Sequence, residues 1–373
     1  MKQHMHRVVS ASCLASIVAI ASWALAGPLN PPTGPVASTY KTLTEIEPRR
    51  LVSDVNTPGN TTAMFIITQP GSYYLGANVV ATGNRHGIII AVDNVTLDLN
   101  GFTIDGAAAT GFPSGISSNN VTRRGLVVRN GNINNFAGYG IFAQTRDSHY
   151  EDLAFVGNKS GGLELFQADN CIARNVRITM PSGEAGLQLS NNALVENCIV
   201  EGGFIGITVG ANSIVRGCAV TNQPGSGIVT GGGVVENCTV YTTNGASAFN
   251  SAGISAGHGT IVRNCTIRSV ISAGVFVSGD SVVEGCQISQ CKRGIAASQF
   301  ASGRMVIKNN DIIDSTTMAI DLPSGKHVVI GNRLRGNVGT FSVNAAVVLG
   351  EVVNCGPGTP PAAASNPTAN LVW

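Results

Sequence analysis

Five segments of this chain end in the same way: Leu194-Val-Glu-Asn-Cys198, Ile214-Val-Arg-Gly-Cys218, Val234-Val-Glu-Asn-Cys238, Ile261-Val-Arg-Asn-Cys265 and Val282-Val-Glu-Gly-Cys286. Their cysteines are 20, 20, 27 and 21 residues apart, and a Val or Ile stands two places after each. Degenerate copies occur at Val128-Arg-Asn-Gly131, Tyr150-Glu-Asp-Leu153, Ala173-Arg-Asn-Val176, Ile307-Lys-Asn-Asn310 and Ile330-Gly-Asn-Arg333. A second motif, Gly-apolar-x-apolar, precedes each copy. It is clearest at Gly162-Leu-Glu-Leu165, Gly186-Leu-Gln-Leu189, Gly206-Ile-Thr-Val209 and Gly274-Val-Phe-Val277.

A period of roughly 20–30 residues means a solenoid, in which each repeat buries its apolar face only against its neighbours. Alternation with period two over so few residues specifies strands, not helices. Each repeat then supplies three strands, at Gly-I-x-V, V-V-E and C-x-V. The Asn or Gly before the cysteine sits at the corner between the last two, because those residues accept left-handed backbone. The predicted fold is all-β: a right-handed, single-stranded parallel β-helix of about eleven turns. At about 4.8 Å per turn the rod is about 50 Å long.

The alternation also assigns directions. In V-V-E-N-C the residue before the corner points outward and the cysteine inward. The outward series reads Arg129, Glu151, Arg174, Glu196, Arg216, Glu236, Arg263, Glu284, Lys308, and its sign alternates at every step. Neighbours in a parallel ladder lie about 5 Å apart, so this pattern predicts a structural charge ladder rather than a catalytic row. Cys198, Cys218, Cys238, Cys265 and Cys286 occupy equivalent inward positions and are expected to stack as buried free thiols. No CxxC or His–Cys pairing is present, so no zinc or other metal site is expected.

The ends read differently. Lys2 and Arg7, the apolar stretch 8–21 and Ala24-Leu25-Ala26 form a signal peptide over 1–26, which makes the protein secreted. Residues 27–63 read as a lead and cap, with a short helix at 40–49. The β-helix is expected over 64–350, with 65–75 as a hairpin or first partial turn. Residues 351–373 read as an irregular tail whose last apolar groups tuck against the final turn. Once Lys2 and Arg7 are removed from the 23 basic residues, bases equal the 21 acids. That balance gives no electrostatic case for a nucleic-acid partner. No segment after the signal is apolar enough to span a membrane.

The Gly-I-x-V and N-C-x-V motifs, and the early turn Val95-Thr-Leu-Asp-Leu-Asn-Gly-Phe-Thr-Ile104, resemble bacterial secreted β-helix repeat proteins of the pectate-lyase-like superfamily. The lead Gly27-Pro-Leu-Asn-Pro-Pro and the segment 67–75 resemble an uncharacterised branch of it. The resemblance spans about residues 40–350 and implies fold more than activity, since that superfamily holds lyases, hydrolases, epimerases, adhesins and scaffolds. It implies that a substrate would lie along the first strand face. The outward residues there run Ile89, Ser117, Phe142, Glu164, Gln188, Thr208, Val229, Ser255, Phe276, Ala296 and Asp321.

Two readings of function follow. The first is a secreted scaffold that binds extracellular glycan or a cell surface without catalysis, since this face is poor in carboxylates. The second is a polysaccharide lyase or glycoside hydrolase acting on a uronate-containing polymer. Its catalytic candidates are Lys159, Glu164 and Glu184, with Phe142 and Gln188 binding substrate. A Lys base beside carboxylates can abstract a proton next to a uronate carboxyl group. No cofactor is expected; calcium enters only if the chain is a lyase. A second patch, Lys292, Arg293, Asp321 and Lys326, and the turn Gly257-His258-Gly259 are weaker candidates.

Overall fold

The computed structural model describes residues 48–243, 251–299, 303–355 and 366–373. The signal segment, the lead and nearly all of the helix expected at 40–49 lie outside the described residues.

One turn of the coil is Ile205–Val209, Ser213–Arg216 and Ala219–Thr221. The next is Ile228–Thr230, Gly233–Glu236 and Thr239–Thr243. Each strand pairs in parallel with its counterpart one turn on: Ile207 with Ile228, Val215 with Val235, Val220 with Val240. The stacked strands make three walls, here called the first, second and third face. Second and third faces meet at the expected corner, where Asn197, Gly217 and Asn237 have φ of 55°, 63° and 54°.

Most inward positions are filled by aliphatic side chains. Val195, Val215 and Val235 from the second face, Val200, Val220 and Val240 from the third, and Ile207 and Ile228 from the first are all fully buried. Burying one such side chain contributes roughly 1.5–3 kcal/mol, so the core dominates the stability of the rod. It also explains the repeated glycine. A Cβ at Gly206 would come within 2.2 Å of Val220 Cγ1 and 2.6 Å of Gly227 O. First and third faces approach too closely there for any side chain.

The first face contains more strands than the motif count suggests. Thirteen follow one another in order, from Ala63–Ile67 to Gly339–Val343. The terminal copies escape the motif because Met64 and Thr340 stand in register with Gly87 and Ala319 of the neighbouring turns. The segment 65–75 is not a hairpin. Ala63–Ile67 pairs with His86–Ile90 on the first face, while Gly71–Tyr74 pairs with Val95–Asp98 on the second. Pro70-Gly71 therefore turns a corner of the first turn. Pairing also begins earlier than 64, since Arg50–Leu51 pairs with Tyr73 and Tyr74.

The tail departs most from expectation. Asn370–Val372 is a strand, inserted between Arg333–Arg335 and Val352–Asn354. Its physical reason lies in the corner position. At Asn310, Asn332 and Asn370 an asparagine replaces the cysteine of the motif, and all three are buried. Asn310 Nδ2 donates to Asn332 Oδ1 at 3.0 Å, and Asn332 Nδ2 donates to Asn370 Oδ1 at 3.0 Å. Asn370 thus extends the ladder by one more rung.

The five motif cysteines are buried and free, as are Cys171, Cys291 and Cys355. Their thiols donate to backbone carbonyls, as Cys218 Sγ does to Arg216 O at 3.3 Å. On the outside, the charged residues lie in unbroken register from Asp98 through Arg129, Glu151, Arg174, Glu196, Arg216, Glu236, Arg263 and Glu284 to Lys308. Arg174 and Arg216 both bond Glu196 at 2.8 Å, Arg263 bonds Glu236 at 2.7 Å, and Lys308 bonds Glu284 at 2.7 Å. Arg129 reaches Asp98 at 3.4 Å. Glu151 forms no ion pair among the described residues.

Candidate functional site

The outward row of the first face has the register that the alternation predicts. Ser117, Phe142, Glu164, Gln188 and Thr208 are successive Cα partners. Glu164 lies in Gly161–Phe166, between Phe142 one turn before and Gln188 one turn after. Although it points away from the core, it is only 2% exposed. No hydrogen bond or ion pair engages its carboxyl among the described residues. Burial, and then the charge of Glu184, push its pKa up to about 8.

Glu184 stands in the connection before Ala185–Gln188 and is exposed. Its Oε2 accepts a hydrogen bond from the Tyr139 hydroxyl at 3.4 Å. Tyr139 begins the strand Tyr139–Arg146, two turns earlier. To reach Glu184 its ring passes across Gly161, where a Cβ would come within 2.5 Å of it. This is the role of the doubled glycine Gly161-Gly162: the second packs against the third face and the first clears the ring. Burial and the charges of Glu164 and Glu184 push the Tyr139 phenol up to about 12, so it stays protonated and acts as a donor.

Phe142 stacks on Tyr139 with centroids 5.0 Å apart and meets Phe166 edge-on at 5.2 Å. Beside this aromatic group lies a cleft of about 200 Å³, lined by His86, Ser117, Asn119, Asn120, Tyr139 and Phe142, with Phe112 at its rim. His86 Nδ1 accepts from the Ser114 backbone N–H at 3.0 Å, which puts the ring proton on Nε2. Burial holds the His86 pKa below its ordinary value.

Of the sequence candidates, Glu164 and Glu184 come together electrostatically, with Phe142 and Gln188 flanking Glu164. Lys159 is exposed. No contact joins its side chain to either carboxylate, and it is not among the causes that shift Glu164. Tyr139, His86, Asn119 and Asn120 were not apparent from the motif. Tyr139 precedes its strand's alternating positions, and the other three sit at strand edges and turns. In the second patch Arg293 bonds Asp321 at 3.1 Å, and His258 Nε2 meets Asp280 Oδ2 at 2.9 Å on the surface. The first pair is half-buried and the second exposed.

A three-walled coil whose strands pair in parallel from turn to turn defines the molecule as a parallel β-helix. The family profile described as right handed beta helix region matches residues 77–253 and 231–352, more than half of the chain, and the protein belongs to that family. No curated protein matches it. Among solved structures, it is similar to the A-module of the Azotobacter vinelandii mannuronan C-5 epimerase AlgE4. The TM-score is 0.52 at 15% identity, covering 75% of this chain and 88% of that one. It is likewise similar to a mutant tailspike protein of E. coli bacteriophage HK620 in complex with a pentasaccharide. Here the TM-score is 0.52 at 10% identity, covering 81% of this chain and 72% of that one. At these identities the likeness is one of fold. Among the described residues no helix is long and apolar enough to cross a membrane.

Proposed function

We propose that the protein is a secreted glycan-cleaving β-helix in which Glu164 and Glu184 act as a carboxylate pair in glycoside hydrolysis. The observation that carries this reading is Glu164: a buried, unpaired carboxyl beside an exposed carboxylate, on the face where a polymer can lie. A carboxyl whose pKa is raised by burial, set beside a second carboxyl group, is the usual general acid of a glycosidase. Glu164, protonated up to about pH 8, gives its proton to the glycosidic oxygen as the bond to the anomeric carbon breaks. Water adds its hydroxyl to that carbon and its proton goes to Glu184. Tyr139 holds Glu184 in place through its hydrogen bond.

Elimination from a uronate fits less well. That reaction needs a base at the sugar and a cation at the carboxylate. Tyr139 is held protonated, and Lys159 is tied to neither carboxylate. The likeness to solved carbohydrate-active β-helices supports a glycan as the ligand without choosing the reaction.

The test is depolymerisation by the purified protein across neutral and uronate polysaccharides, with and without calcium. Reducing ends that vanish in Glu164→Gln support hydrolysis. Unsaturated ends would establish a lyase instead, and their loss in Lys159→Ala would place its base. Silence across the panel, with polymer still bound, would return the protein to a binding scaffold.

A further inference from the structure

The geometry points to a subsite for one uncharged sugar unit in the cleft of His86, Asn119, Asn120, Tyr139 and Phe142, and hence to a neutral glycan rather than a uronate polymer along the first face. The direction of the polymer across Glu164 rests on the hydrolase reading; the subsite itself does not.

Shape is the first observation. A cleft of about 200 Å³ accommodates one pyranose ring. Its register places it beside the reacting carboxylate: Ser117 pairs with Phe142, and Phe142 with Glu164. Successive turns repeat at about 4.8 Å, close to the advance per unit of an extended glycan. Tyr139 and Phe142, stacked with 30° between their planes, offer an apolar wall for the C–H face of a sugar. Phe112, 80% exposed at the rim, is a large apolar ring with no core to join.

The polar groups are the second observation. With its Nδ1 already accepting from Ser114, His86 has an Nε2–H left to donate. Asn119 and Asn120 sit side by side in left-handed backbone, at φ of 55° and 56°. Their side-chain amides have no partner among the described residues. Each amide carries both a donor and an acceptor. That mixture suits hydroxyl groups, which donate and accept. A carboxylate can use only the donors.

Charge is the third. No Lys or Arg lines the cleft. Arg85, next to His86, is turned back on the Thr82 carbonyl at 3.0 Å. Along the outward row from Ile89 to Ala296, Glu164 is the one ionisable side chain. The segments 244–250 and 300–302 contain no Lys or Arg either. A uronate polymer would bring one carboxylate per sugar to a cleft that no cation lines and whose Tyr139 is bonded to the Glu184 carboxylate, and like charges brought together oppose binding.

The test is calorimetric titration of the full chain carrying Glu164→Gln, which prevents turnover. The probes are cellohexaose, mannohexaose and maltohexaose against hexagalacturonate and hexaguluronate. A neutral hexasaccharide is expected to bind with an affinity that about 0.5 M salt leaves unchanged. Affinity should fall about tenfold or more with Phe142→Ala and with His86→Ala. Asn120→Ala, an exposed change that spares the core, should weaken binding in the same direction. Tighter binding of a hexauronate, no binding of any probe, or unchanged affinity in all three variants would overturn the subsite. Reducing-end release that needs Glu164 but is indifferent to His86 and Phe142 would leave the hydrolase standing without it. Neutral binding through these residues with no release by the unmutated chain would keep the subsite and remove the hydrolase.

Discussion

At the scale of the residue, the decisive fact is that an outward-facing carboxyl is buried. Nothing in the sequence signals this for Glu164. Alternation gives its direction, but its burial comes from neighbours one turn away on either side. The consequence is measurable in stability. The folded state keeps its proton up to about pH 8, whereas in the unfolded chain it leaves near the ordinary glutamate value of about 4.3. Between these values the folded state binds more protons, so Glu164 lowers stability as pH rises. Glu164→Gln should therefore be more stable than the parent at pH 8 by on the order of a few kcal/mol, and near equal to it at pH 4. Thermal melts at the two pH values check this; equal differences at both would contradict it. A second residue-scale prediction concerns Gly161. Gly161→Ala should displace Tyr139 from Glu184 and cost activity about tenfold or more, with the phenol titrating closer to its ordinary value in an ultraviolet pH titration.

At the scale of the element, the strand is the unit that the sequence states most clearly. Period-two alternation gave the inward cores, the first-face row and the outward charges in their observed register. The charge ladder lies over a core that supplies most of the energy, and we propose that it acts as a register device. Each exposed pair is worth about 1 kcal/mol or less, while each turn buries several aliphatic side chains. Glu236→Lys would place a third cation between Arg216 and Arg263. It should lower stability by about 1–2 kcal/mol, and adding Arg216→Glu and Arg263→Glu should restore most of the loss. Chemical denaturation of the single, double and triple variants tests this; additive effects would contradict the ladder. Tyr139 marks where reading by strand fails. Its side chain acts across two turns, through a gap that only a glycine in the intervening turn leaves open.

At the scale of the whole molecule, the coil is legible because one repeat is written many times, and its ends are not because the repeat degrades there. Met64 and Thr340 conceal terminal turns, and Asn370–Val372 pairs out of chain order, which no local pattern can show. That last strand closes the asparagine ladder. Asn332 would lose its Asn370 partner in Asn370→Ala, leaving buried polar groups unmet at a cost of about 1–3 kcal/mol. Hydrogen exchange should then quicken in Val328–Ile330 and Arg333–Arg335 while the turns near Glu164 keep their protection. Uniform loss of protection along the rod would show instead that the carboxy-terminal strand holds the whole coil together.

The most direct test of the carboxylate pair is the pH dependence of reducing-end release on the polysaccharide that the protein cleaves. The hydrolase account predicts a falling limb near pH 8, from loss of the Glu164 proton, with Glu164→Gln nearly inactive throughout. A profile that climbs through pH 8 without falling, or a Glu164→Gln variant that keeps full activity, would contradict it.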